Sequence, residues 1–157
     1  MMTGGVAWAD GFVPVRFGVS HTEAMDSLAK LWGVPEQTTV QSAIYINKVY
    51  RGIAFDRIVV GFEDEARGGY FNQIRFFVAR HVRRQAVAVR DSLARVLSTE
   101  YGQGITHDYE ENGNKFYKGG TSPEGIGFLF TIYTQRRQGQ WMTELRYGAF
   151  HKLKPIR

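Results

Sequence analysis

Apolar positions along the chain alternate between two spacings, a near-3.6 repeat and a repeat of two, and they do so in two successive rounds. Residues 11–17 (GFVPVRF) have the short apolar pattern of a strand, with Pro14 suited to an edge or a strand start. Ser20 then opens a helix, because Ser20 and Glu23 have the S-x-x-E spacing of a capping box. Met25, Leu28, Leu31 and Trp32 follow at helical spacing as one apolar stripe. Gly33 suits the residue after the last turn, and Pro35 prevents further helix. Residues 42–50 (SAIYINKVY), 56–63 (DRIVVGFE) and 70–79 (YFNQIRFFVA) read as strands, with Arg51-Gly52 as a bend or bulge.

The second round has the same order. A helix is expected over 84–98, with Ala86, Val89, Leu93 and Val96 or Leu97 inside. Residues 105–111 and 114–118 flank Asn112-Gly113, a pair suited to a type I′ hairpin turn. A glycine-rich loop, KGGTSPEG, leads to strands at 127–134 and 141–150. The basic tail HKLKPIR is a docked or frayed end.

Three segments repeat in the same order. NKVYRG (47–52) returns as NKFYKG (114–119), Asp26-Ser27-Leu28-Ala29-Lys30 as Asp91-Ser92-Leu93-Ala94-Arg95, and Ile74-Arg75-Phe76 as Leu145-Arg146-Tyr147. Such self-similarity in matching elements indicates internal duplication. The expected fold is α+β: two tandem α-β-β-β repeats, about 11–80 and 81–150, form one antiparallel sheet with two helices packed on one face. The whole chain, 1–157, is then a single domain, since a lone unit leaves apolar surface that its copy covers.

Strand alternation divides the sheet into two faces. Ile58, Val60, Phe62, Ile74, Phe76, Val78, Leu145 and Tyr147 should meet the helices. The opposite face carries Arg57, Gln73, Arg75, Phe77, Tyr133, Glu144 and Arg146. Arginine beside aromatic rings is the composition of protein-binding hot spots. Arg57, Arg75, Phe77, Tyr133, Glu144 and Arg146 are therefore the candidate binding residues, a solvated face or a second copy of the chain being the alternatives. Arg80, Arg83 and Arg84 cluster at the start of the second helix and form a weaker candidate for anion binding.

Charge adds a second possibility. Twenty Lys and Arg against 15 Asp and Glu leave a formal charge of +5, which favours polyanions or acidic proteins, although the cations are dispersed. Aromatic residues at 14% and 18 glycines fit a β-rich fold. The absence of cysteine excludes disulfides, thiol nucleophiles and cysteine metal sites. No apolar run reaches the roughly 18 residues of a membrane span.

Catalytic constellations are missing. The 4 histidines (His21, His81, His107, His151) have no metal-ligand spacing. His107, Tyr109 and Glu111 share one strand face, which reads first as a polar face and only second as a weak metal site. Adjacent Glu110 and Glu111 point to opposite faces and are no acid–base pair. KGGTSPEG has backbone donors and a lysine but lacks the phosphate-loop order. No enzyme and no cofactor are expected. A small-molecule pocket between sheet and helices is the remaining alternative.

The opening VRFGVSHTEAMDSLAKLWG and the segment YRGIAF, through Phe17-Gly18, Ser20, Glu23, Leu28 and Gly33, then Gly52 and Phe55, resemble small secreted proteins of Gram-negative bacteria. The duplicated plan is similar to the β-lactamase-inhibitor-protein-like fold and to the α/β unit of outer-membrane assembly lipoproteins. The chain departs from these in lacking a lipobox cysteine and disulfide-forming cysteines. The resemblance implies a non-catalytic, extracytoplasmic module that binds protein. The expected function is thus a protein-binding or envelope-associated module with an unidentified protein partner. Nucleic-acid or other polyanion binding through the basic, aromatic-bearing sheet is the alternative. Ala7-x-Ala9 has the pattern of an export cleavage site, but MMTGGV is too short for a signal core. The compartment is periplasmic or extracellular if an export signal precedes these residues, and cytoplasmic otherwise.

Overall fold

The computed structural model describes residues 11–12, 15–101, 107–111 and 114–156. The expected positions Ala7, Ala9, Pro14 and Asn112-Gly113, and the side chains of His107, Tyr109 and Glu111, lie outside the described residues. A small pair, β1 (Gly11–Phe12) and β2 (Val15–Arg16), takes the place of the single strand expected over 11–17. Two helices, α1 (His21–Trp32) and α2 (Arg83–Tyr101), each precede four strands. These are β3 (Gln37–Thr38), β4 (Ser42–Tyr50), β5 (Ile53–Phe62) and β6 (Phe71–Arg80), then β7 (His107–Glu111), β8 (Asn114–Gly119), β9 (Phe130–Arg137) and β10 (Gln140–Tyr147). The eight strands form one antiparallel sheet in the order β3-β4-β5-β6-β10-β9-β8-β7, so the two groups of four meet where β6 pairs with β10. The two-residue edge strand β3 was not expected from the sequence.

Both helices pack on one face. Trp32 of α1 stacks edge-on against Tyr45 and Phe76 and donates Nε1–H to Val49 O at 3.1 Å. On the same face Thr143, the direct partner of Val78, donates from Oγ1 to Ala86 O of α2 at 2.6 Å. One hydrophobic core joins Leu28 and Trp32 to Leu93 and Leu97 through Ile58, Ile74, Phe76, Ile132, Leu145 and Tyr147. Tyr50 and Tyr147 bring their hydroxyls to 3.1 Å inside it. All eight residues expected beneath the helices are buried.

Local signals explain most element ends. Ser20 Oγ accepts from Glu23 N–H at 3.1 Å, and Gly33 closes α1 at φ 79°, ψ −148°, a region open to glycine. In α1 the buried residues are Ala24, Leu28 and Trp32, whereas Leu31 is 46% exposed and falls outside the expected stripe. Small Ala24 lets the helix approach the sheet, and residues spaced by four define the contact line. Arg51 (φ 56°) and Gly52 (φ 77°) are the two central residues of the β4–β5 hairpin, not a bulge within a strand. Two positive φ values in a two-residue loop are the type I′ pattern, which matches strand twist.

Candidate functional site

The outward face of the sheet is built from two cross-strand rows at its centre. One row runs Arg57–Phe77–Glu144–Tyr133 across β5, β6, β10 and β9, and the next runs Val59–Arg75–Arg146–Thr131. All six candidate binding residues are therefore brought together. The first row extends to Phe116 on β8, whose ring centroid is 5.6 Å from that of Tyr133.

Glu144 organises this surface. It is the only acid in the two rows and is only 1% exposed, although both helices lie on the other side. Arg75 donates Nε–H to Oε2 at 2.8 Å and a weaker Nη2 bond to Oε1 at 3.4 Å. Tyr133 donates its hydroxyl to Oε1 at 2.6 Å. Arg146 Nε stands 3.8 Å from Oε2, beyond hydrogen-bond range. Arg75 and Arg146 are direct cross-strand partners, a like-charged pairing that is unfavourable without a counter-ion. The carboxylate of Glu144, diagonal to Arg75 and two residues before Arg146 on β10, supplies one.

Phe77 is buried by cations rather than by a helix. The guanidinium carbons of Arg75 and Arg57 lie 4.9 and 5.6 Å from its ring centroid, within cation–π range. Titration behaviour follows from the contacts. The Tyr133 phenol is pushed up to about 12, first by burial and then by the hydrogen bond to Glu144 and its charge. The hydrogen bond to Glu144 raises Arg75 above the ordinary guanidinium value. Three arginines against one ion-paired carboxylate leave the patch cationic, with Arg75 held by its bonds to Glu144 and both Arg75 and Arg57 stacked on Phe77.

The weaker anion candidates fall elsewhere. Arg80 donates Nη1–H to Ala79 O at 2.8 Å, and Arg83 lies over Trp141 at 5.7 Å. Arg84 is exposed in the first turn of α2. The glycine-rich loop turns donors inward: Ser122 N–H bonds Gly127 O, Gly125 N–H bonds Ser122 O, and Glu124 N–H bonds Ser122 Oγ. Those donors are spent within the loop, against a phosphate nest there. The loop instead borders a cleft of about 360 Å³ whose lining includes Lys118, Ile126, Phe128 and Arg146. A shallow hollow of about 190 Å³ between α2 and β5 is lined by Ile53, Ala88, Val89 and Ser92. No helix among the described residues is long and apolar enough to cross a membrane.

Sequence reasoning placed the six candidates on one face but missed two features that adjoin it. Phe116 joins by strand pairing alone, which no local signal reveals. The cleft depends on the fold of loop 120–129. Compared with known protein families, curated proteins and solved structures, the chain matches none.

Proposed function

We propose that the chain is a non-enzymatic protein-binding module whose helix-free sheet face takes a partner presenting carboxylate side chains. The observation that carries this reading is the state of Glu144: the only acid in the two central rows is already satisfied within the sheet. Arg57 and Arg146 remain as outward cations beside apolar and aromatic surface. Guanidinium groups pair with carboxylates bidentately, and the stacking of Arg57 on Phe77 reduces the ordering cost of association. The resemblance to the β-lactamase-inhibitor-protein-like fold points the same way, toward an extracytoplasmic module without catalysis.

Duplication belongs to this proposal. Arg75 and Arg146, equivalent by the repeat, are direct partners across the β6–β10 junction. Two copies related by a twofold axis at that junction place equivalent residues face to face, so one binding surface draws on both. The test is selection from a peptide display library with wild type and with the Arg57→Gln/Arg146→Gln double variant. This variant leaves the Arg75–Glu144–Tyr133 bonds intact. Wild type should enrich Asp- and Glu-containing sequences, and the double variant should lose them while still unfolding in a single cooperative transition. Enrichment of sequences without acids, or equal binding by the variant, overturns the proposal.

A further inference from the structure

A second cationic surface lies at the end of the sheet, on the side of the helices. Trp141 is the direct cross-strand partner of Arg80 on β6 and of Arg136 on β9. It shares a face with Thr143, which bonds α2, so the indole sits just beyond the first turn of that helix. Arg83 stacks on the same ring, its guanidinium carbon 5.7 Å from the centroid. Arg84 and Arg136 are exposed and, among the described residues, meet no carboxylate. Segments 80–90 and 134–143 contain no Asp or Glu.

Folding alone does not account for this concentration. Cations in the first turn of a helix oppose its dipole. The stack on Trp141 gives Arg83 a structural role, but nothing comparable holds Arg84 or Arg136. Arg80 and Arg136 flank the indole across two strand spacings, about 10 Å. A half-buried indole between guanidinium groups offers a π-face with phosphate-binding donors on either side.

We propose that this surface binds single-stranded nucleic acid, with the arginines on phosphates and a base stacked on Trp141. Stacking on an aromatic ring beside a basic track is the general mode of strand binding without sequence readout. The central sheet face suits it less, because the Phe77 ring is already covered by two guanidinium groups. An anionic membrane suits the end surface less as well. Interfacial binding needs several inserted apolar side chains, and Val82, 46% exposed, is the large apolar one in segment 80–85. This site stands apart from the sheet-face reading and can fail or hold without it.

The test is fluorescence anisotropy of a labelled mixed-sequence single-stranded oligonucleotide, titrated with the full chain over a range of salt. Wild type should bind with log K falling linearly in log salt. Arg84→Gln/Arg136→Gln should weaken binding about tenfold or more and reduce the slope by about 1.4, roughly 0.7 per lost phosphate contact. Trp141→Phe should weaken binding and leave the slope unchanged. The proposal is overturned by absence of binding at the lowest salt, or by binding that survives these variants and is lost in Arg57→Gln/Arg146→Gln. It is equally overturned if inorganic polyphosphate competes fully and Trp141→Phe has no effect. Preferential binding to vesicles containing anionic phospholipid would reassign the surface to a membrane and overturn it too.

Discussion

Glu144 carries more of the central face than any other single residue. Converting it to Gln removes the counter-ion between Arg75 and Arg146 while keeping the side-chain shape. Bonds to a charged group are worth about 1.5–3 kcal/mol, and the two facing arginines would then repel. Glu144→Gln should therefore lower unfolding free energy by about 2–3 kcal/mol, measured by denaturant titration. Added salt should restore part of the loss. Tyr133 makes a separate prediction at alkaline pH. Its folded value of about 12 exceeds the ordinary phenol value of about 10, so the folded state holds the proton more tightly. Its contribution is fully present below about pH 10 and is lost as pH rises through 12. Melting temperature against pH should fall less steeply over that window for Tyr133→Phe than for wild type. The alternation of strand residues was enough to gather these side chains on one face. It did not reveal that the arginines would be bound to Glu144 and stacked on Phe77, because pairing across β6, β10 and β9 depends on register between distant segments.

At the scale of elements, the difference between Leu31 and Leu93 measures what periodicity can tell. Both fall at helical apolar positions, yet Leu93 is fully buried and Leu31 is 46% exposed. Leu93→Ala should cost about 2–5 kcal/mol through lost burial and a residual cavity, whereas Leu31→Gln should change stability by less than about 0.5 kcal/mol. Thermal or denaturant unfolding of the two variants checks this directly. Strand alternation was legible except where backbone conformation reverses it. Buried positions on β4 pass from odd numbers (Ala43, Tyr45) to even (Tyr50), and on facing β5 from even (Val60, Ile58) to odd (Phe55). The reversal coincides with Asn47 at φ 54° opposite Asp56, whose Oδ2 accepts from Ala79 N–H at 2.7 Å. A side-chain acceptor there replaces a ladder bond, a substitution invisible to hydrophobic spacing.

For the whole molecule, the sheet is continuous because β6 and β10 pair along most of their length, and the core beneath them is shared by both helices. The last residues add to this. Ile156 N–H bonds Gly18 O at 2.8 Å, and Leu153 and Ile156 pack against the core. The tail is docked, as one of the two sequence expectations held, and its anchors are apolar side chains among basic neighbours. Ending the chain after Lys152 should cost about 2 kcal/mol, from partial burial of two aliphatic side chains, and calorimetry would show it as a lower melting temperature. Alpha-plus-beta architecture was legible because each element is locally well marked. Strand order was not, since β6 pairs with β10 across an intervening helix and three strands, and no local pattern marks so distant a partner.

The bond from Arg75 Nε–H to a carboxylate that is 1% exposed has a use beyond stability. Arginine Nε protons in water exchange too fast to observe near neutral pH, but one shielded in this way should give a slow-exchanging, shifted resonance. It lies at the centre of the face, in the row that a partner would cover. The molecule thus carries its own spectroscopic reporter: occupancy of the sheet would be read from one arginine signal, without any label being introduced.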